Sequence, residues 1–464
     1  MSAHHPGALS NPQESPKSFM PFLTIWIGQT ISLLGSGLTG FALSVWVFSQ
    51  TGNATPIALT ALSQWLPRIV LAPLAGIVAD RYQRKLVMIL ADSAAAVATA
   101  IGAALVFTGN LELWHIYAIA AMLGTAGAFQ SPAMTASVTM LVGKEQCSRA
   151  AGMQQTSHAL ETVATPVIAG VLLPIIGLFG IIIIDLSTFL VGVITLIISP
   201  IPQPKRSAAE ESADALRGFR KAIYGMKFIF ERSGLLAMML FFALVNFAAN
   251  LSSVVLPPLV LTISDATGLG LVQMVAGVGM LLGSVLVSVW GGPRRKMMAV
   301  YLSIGVSGVG LIVTGLVPSL WVIAGGMFVM LLPIPLANGP ATAIWQTKVA
   351  PEVQGQVFAA RGMIATAMMP IAYALAGPLA DRVFEPLMTS SPPQVLTAIV
   401  GGGMGRGYGV MLVGCGVVLI LATVGFAFYR PLRRVEEELP DVEIEAENPA
   451  ATSAREAQPV GAGS

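Results

Sequence analysis

A helix that crosses a bilayer needs about 20 consecutive, largely apolar residues, and this chain carries twelve such stretches. Six lie in the first half, at residues 20–48, 56–79, 86–108, 114–140, 150–173 and 178–200. Six more lie at 235–260, 269–290, 297–317, 320–346, 359–379 and 407–429. Hydrocarbon offers no hydrogen-bond partners, so such segments must satisfy their own backbone as helices. The expected fold is therefore an all-α membrane protein with 12 transmembrane helices, here called spans 1 to 12. Composition agrees: 10% of the 464 residues are charged, against roughly a quarter in a soluble domain. That excludes a water-soluble globular enzyme. The net charge of +2 leaves no basic footprint for nucleic acid, and the lipid bilayer is the expected surroundings.

The spans fall into two related halves. After span 4 the chain reads Pro132-Ala133-Met134-Thr135-Ala136, then Glu145, then Ala150-Ala151-Gly152-Met153. After span 10 it reads Pro340-Ala341-Thr342-Ala343, then Glu352, then Ala359-Ala360-Arg361-Gly362-Met363. Arg84-Lys85 after span 2 is echoed by Arg294-Arg295-Lys296 after span 8. A duplicated six-helix unit, as in secondary transporters, accounts for both echoes. The expected organisation is a disordered cytoplasmic tail over 1–19 and an N-terminal six-helix bundle over 20–200. A cytoplasmic linker follows over 201–234, with apolar residues at helical spacing among seven basic ones, so an amphipathic surface helix is expected there. A second six-helix bundle spans 235–430, and an acidic disordered tail spans 431–464.

Orientation follows from the basic residues. With the N-terminus inside, 22 of the 25 Lys and Arg residues lie on the cytoplasmic side. Outer loops hold Arg382 and Arg406, and Arg68 lies within span 2. Both termini are expected in the cytoplasm of a cell with a multi-pass plasma or inner membrane protein. Residues 1–18 lack an apolar core, so no cleavable signal is expected and span 1 serves as an anchor.

Enzyme chemistry finds no support. No G-x-x-x-x-G-K-[ST] motif occurs, so no ATP is expected. Cys147, Cys415 and four histidines form no metal spacing, and no metal or other cofactor is expected. Ionisable residues at membrane depth are costly and are functional candidates by default. They are Arg68, Asp92, Glu161 and Asp185, with His158 one turn before Glu161. Asp92 lies about 9 Å along span 3 at 1.5 Å per residue, close enough to the cytoplasmic basic residues to be their structural partner. Asp185, in span 6, also reads as structural. Glu161 is near mid-membrane, where it either binds a proton or a cationic substrate or pairs with Arg68.

The sharpest local motif joins spans 2 and 3: Gly76, Asp80, Arg81, Arg84 and Lys85 within Gly-Ile-Val-Ala-Asp-Arg-Tyr-Gln-Arg-Lys. It resembles the G-x-x-x-D-R-x-G-R-R/K loop of the major facilitator superfamily, with Gln83 in place of the second glycine. The resemblance covers residues 20–430 and implies a conformational latch: Asp80 can meet basic groups or a helix N-terminus and hold the halves together in one state. Trp26, Gly28, Gln29, Ser32, Gly35 and Ser36 in span 1, with Leu66-Pro67-Arg68, resemble an exporter-like group related to enterobactin and macrolide efflux pumps. So do Gln354-Gly355-Gln356-Val357-Phe358 and Gly377-Pro378-Leu379-Ala380-Asp381-Arg382.

Span 5 keeps Pro166 and Gly170 of the antiporter seam G-P-x-x-G-G. No Lys or Arg lies between Lys85 and Lys144, so the arginine of many proton-coupled pumps is absent from span 4 and the coupling ion stays open. In this superfamily spans 1, 4, 7 and 10 surround the cavity, which makes Gln29, Ser32, Ser36, Asn246, Asn250 and Asn338 cavity-lining candidates. The resemblance implies a monomeric, proton-coupled exporter of small lipophilic compounds such as drugs or siderophore-like metabolites. An importer or uniporter on the same fold, or a non-transporting receptor or scaffold, are the alternatives.

Overall fold

The computed structural model describes residues 19–201, 224–290, 293, 295–390, 392–433 and 436. The N-terminal tail, most of the linker with its expected amphipathic helix, and most of the acidic tail lie outside the described residues. No strand occurs among the described residues. The first half contains α1 (Met20–Thr51), α2 (Thr55–Arg81), α3 (Arg84–Phe107), α4 (Leu113–Leu141) and α5 (Cys147–Ile198). The second contains α6 (Ser233–Leu261), α7 (Ala266–Trp290), α8 (Lys296–Leu316), α9 (Leu320–Leu331), α10 (Ile334–Lys348) and α11 (Pro351–Leu379). A π-helical turn at Ala380–Phe384 leads into two short helices, α12 (Glu385–Thr389) and α13 (Gln394–Val400), and then α14 (Arg406–Phe428).

Among the described residues, ten helices are long and apolar enough to cross a membrane. The 52-residue α5 breaks at Gly177, whose φ of 68° and ψ of 179° suit only glycine. Each part of α5 is long enough to cross by itself at 1.5 Å per residue. Counting α5 twice and adding the 29-residue α4, the expected twelve spans fit. Span 10 comes as two helices, α9 and α10, meeting near Pro333.

Side chains such as Val289, Phe428, Phe107 and Trp321 are largely exposed. Against lipid this carries no penalty, so packing rests on close contact and on interhelical hydrogen bonds. Within the first half α1 lies along α5, and α4 packs on α2 and α3. In the second half α6 lies along α11, and α8 packs on α9 and α14. Contact between the halves runs mainly through two helix pairs, α2 with α11 and α5 with α7, with a smaller contact of α1 on α6. These pairs frame everything that follows.

Candidate functional site

The signature loop sits where α2 ends and α3 begins. Arg84 donates through Nη1 to the Ala136 carbonyl and to Met140 Sδ, both at 2.8 Å, at the end of α4. Lys85 Nζ donates to the carbonyls of Ile197 at 2.7 Å and Ser199 at 3.0 Å, where α5 ends. Carbonyls near helix C-termini lie at the negative end of the helix dipole and attract cations, so these two residues bind the first half to itself. Asp80 and Arg81 are exposed at the same end, and space is open beside Gly76.

At membrane depth the polar groups of the first half form two clusters. In one, Arg68 of α2 lies over the Trp65 ring at 5.0 Å and reaches towards α4, where Gly127 has no side chain to obstruct it. Arg68 is within electrostatic reach of Glu161 on α5, and His158 Nδ1 lies 3.5 Å from Glu161 Oε2. His158 is mostly exposed and Glu161 partly so. This places an acid, a base and a cation from two helices together on one accessible surface.

The second cluster is enclosed. Asp92 is 3% exposed; its Oδ2 accepts from Gln29 Nε2 at 2.8 Å and its Oδ1 from Gln130 Nε2 at 2.5 Å. Gln130 also donates to Gln29 Oε1 at 2.7 Å, closing a three-membered network across α1, α3 and α4. Asp92 therefore meets two amides rather than the cytoplasmic basic residues that its position in the sequence suggests. Ser36 donates to the buried Asp185 at 3.2 Å, and Ser32 is buried beside Gly192, so both serines lie in the seam between α1 and the second part of α5.

In the second half Asn246 donates to the Phe242 carbonyl at 2.8 Å, and Asn250 donates to the Asn246 carbonyl at 2.7 Å. Asn250 Oδ1 also accepts from the Tyr373 hydroxyl at 3.0 Å, tying α6 to α11. Asn338 is exposed on α10. Arg361, counted with the cytoplasmic basic residues at the start of span 11, lies well inside α11 with its guanidinium over the Trp345 ring at 5.4 Å. Arg406, assigned to an outer loop, is buried at the start of α14 and donates to the carbonyls of Gly315 at 2.9 Å and Leu316 at 2.8 Å.

The halves meet closely at the end of the molecule away from the signature loop. Asp381, just beyond α11, accepts from the backbone amides of Ala54 at 2.9 Å and Thr55 at 2.6 Å. Those amides begin α2, so a carboxylate from the second half caps a helix of the first. A Cβ on Gly377 would fall 2.5 Å from Thr55 Cα, so only glycine admits this approach unchanged. On the other pair, a Cβ on Gly170 would meet the Ala266 carbonyl oxygen at 2.9 Å, and one on Gly270 would fall closer still to the Pro166 carbonyl oxygen. Thr267 donates to the Gly170 carbonyl at 3.1 Å. Pro166 and Gly170 thus lie in the α5–α7 seam.

The sequence reading gave no individual role to three residues in these contacts: Gln130, Arg361, which stood only in the repeat echo, and Asp381, which stood only in the exporter-like motif. For Gln130 the signal was a strongly polar residue in the middle of an apolar span. For Asp381 it was an echo: Gly377-x-x-Ala-Asp381-Arg382 repeats Gly76-x-x-Ala-Asp80-Arg81.

Comparison with known proteins gives the same picture. "Macrolide efflux protein A" of Streptococcus pyogenes is 28% identical over 368 residues, covering 78% of this chain and 90% of that protein. "Multidrug efflux pump Tap" of Mycolicibacterium fortuitum is 25% identical over 405 residues, covering 82% and 94%. "Enterobactin exporter EntS" of Shigella dysenteriae serotype 1 is 26% identical over 208 residues, 44% of this chain and 49% of that one. Among solved structures, a bacterial homologue of the human lysosomal transporter Spinster, in an inward-facing and unoccupied conformation, superposes with a TM-score of 0.65. It is 14% identical and covers 91% of this chain and 99% of its own, a likeness of fold. The family model described as Major Facilitator Superfamily matches residues 25–373. The chain is a multi-pass membrane transporter rather than an enzyme, and it belongs to the Major Facilitator Superfamily.

Proposed function

We propose that this protein is a proton-coupled secondary exporter of small lipophilic compounds, working as a monomer without ATP by rocker-switch alternating access. The observation that carries this reading is the capping of α2 by Asp381 across the two halves. It is a contact that a two-state machine must break once per cycle. The same G-x-x-A-D-R sequence stands at the far end of α2, at Gly76–Arg81, and makes the corresponding contact when the halves rock the other way. With the basic residues inside and both termini cytoplasmic, the closed end is the outer one. The efflux proteins among the relatives support export as the direction.

Glu161 is the proposed proton carrier, with His158 and Arg68 setting its charge balance. It binds a proton when open outward and releases it inward, in competition with substrate. One proton entering down about 150 mV releases roughly 3.5 kcal/mol, which supports about a 300-fold gradient of neutral substrate. The test is dye efflux from inverted vesicles or proteoliposomes, with and without a pH gradient. Glu161→Gln is expected to abolish concentrative transport while leaving counterflow exchange. Concentrative transport that survives Glu161→Gln unchanged would remove the proposed carrier.

A further inference from the structure

The two halves differ in how they balance charge inside the membrane. The first half places Asp92, Glu161 and Asp185 there, and its one deep cation, Arg68, is answered by Glu161. The second half has no Asp or Glu between Gly234 and Ser264, and only Glu352, at the start of α11, between Ala266 and Leu379. Yet it carries Arg361.

The depth of Arg361 can be read from the α2–α11 contact. Gly377 lies against Thr55, and the two helices run antiparallel from there. At 1.5 Å per residue, Arg361 is about 24 Å from that contact along α11, and Arg68 about 20 Å along α2. The two arginines therefore sit within about 5 Å of the same level. Arg361 is half-buried, and its guanidinium lies against Trp345 of the neighbouring α10. A guanidinium at this depth turns to the protein interior or to a water-filled cavity rather than to lipid.

Among the described residues no hydrogen-bond acceptor and no acidic side chain pairs with Arg361. The indole N–H of Trp345, fully buried beside it, also finds no partner among the described residues. Both polar groups on this seam are donors, and one of them is charged. The missing element is an acceptor of negative charge. An aromatic face against the guanidinium keeps its plane fixed, and a guanidinium fork matches a carboxylate, sulfonate or similar anion in two bonds at once.

We infer that Arg361 is the substrate-recognition residue of the second half and that the transported compounds are amphipathic anions, held by an acidic group at Arg361. This rests on the export reading for its context, but it names a binding preference that can be measured without transport. A cation would meet Arg361 unshielded, so discrimination against cations comes from the same side chain.

The test uses two xanthene dyes of similar skeleton and opposite charge, fluorescein (anionic) and rhodamine 6G (cationic). Binding to the full chain in nanodiscs is followed by fluorescence anisotropy. Wild type is expected to bind fluorescein at least about tenfold more tightly than rhodamine 6G, the size of effect given by one charge-assisted pair. Arg361→Gln should remove that preference, and Arg361→Lys should keep part of it. A second variant guards against misfolding of the first. Ala365→Glu puts a carboxylate one turn along α11, at i+4 from Arg361, and should also remove the preference by occupying the guanidinium.

Fluorescein affinity that is unchanged in both Arg361→Gln and Ala365→Glu overturns the inference. So does a wild-type preference for rhodamine 6G. If transport falls in Arg361→Gln while anion binding is intact, Arg361 acts in closure rather than recognition, and the inference is again lost. Loss of concentrative export with anion selectivity retained would instead count against the export reading alone.

Discussion

Asp92 and Glu161 are both carboxylates at membrane depth, and their surroundings give them different work. Asp92 is enclosed by two amide donors that are themselves bonded to each other. Interhelical bonds in membranes are worth about 0.6 kcal/mol on average, and charge-assisted ones about twice a neutral bond. Asp92→Ala, which leaves Gln29 and Gln130 without their acceptor, is expected to lower stability by about 1–3 kcal/mol. The readout is the midpoint of thermal aggregation of the detergent-solubilised protein. If it does not move, the network has no structural weight. Glu161, partly exposed and facing a histidine and an arginine, is expected to leave that midpoint within experimental scatter when changed to Gln. At this scale the sequence reading was uneven for a physical reason. It found the charged residues because charge stands out in an apolar span. It counted Arg361 with the cytoplasmic basic residues because it stands two residues into span 11, whereas the helix begins at Pro351 and puts it about 15 Å along.

At the scale of elements the molecule depends on α2 and α11, which meet at one end through a carboxylate on helix amides. Asp381→Asn keeps the shape but gives up the charge that the helix N-terminus favours. A bond to a charged group is worth about 1.5–3 kcal/mol, so the population closed at this end should fall by about tenfold relative to the open one. Double electron–electron resonance between spin labels at Asn53 and Thr389 would show this as a second, longer distance. Gly377→Val, which drives a branched side chain into Thr55, should give the longer distance alone. Wild-type distances in both variants would rule out Asp381 and Gly377 as the closing contact. The spans themselves were legible because hydrophobic length is written directly in the sequence. The break at Gly177 was legible only as a short gap between apolar runs, and the division of span 10 near Pro333 was not, since backbone angles leave no mark on hydropathy.

For the whole molecule, the proposed alternating access would make the α2–α11 contact transient. A disulfide between cysteines replacing Thr55 and Gly377, whose Cβ positions lie 3.1 Å apart, should hold the halves together. Transport should stop on oxidation and return on reduction, with Cys147 and Cys415 replaced beforehand. Undiminished transport in the cross-linked protein would mean that this end does not open. The pseudo-twofold relation of the halves was visible in the sequence as matched Pro–Glu spacings and basic clusters. That the Asp381 copy of G-x-x-A-D-R caps α2 across the halves was not visible, because both copies are chemically alike and only the packing of the two halves sets that contact.

The connection from Ala380 to Gly405 gives this asymmetry a practical consequence. At the closed end the other turns are short, and α5 reverses at the single residue Gly177. The 380–405 segment is the longest stretch of chain there among the described residues, and it is fastened at both ends. Asp381 holds it to α2, and the Glu385 carboxylate accepts from the Gly405 amide and, at 2.8 Å, from the Gly407 amide. With the proposed orientation, in which this end faces out, an antibody fragment raised from the outside would find an epitope on this segment. Because the segment's first turn is bonded across the halves only while that end is shut, such a fragment would distinguish the two states and would hold the transporter in whichever one it recognised.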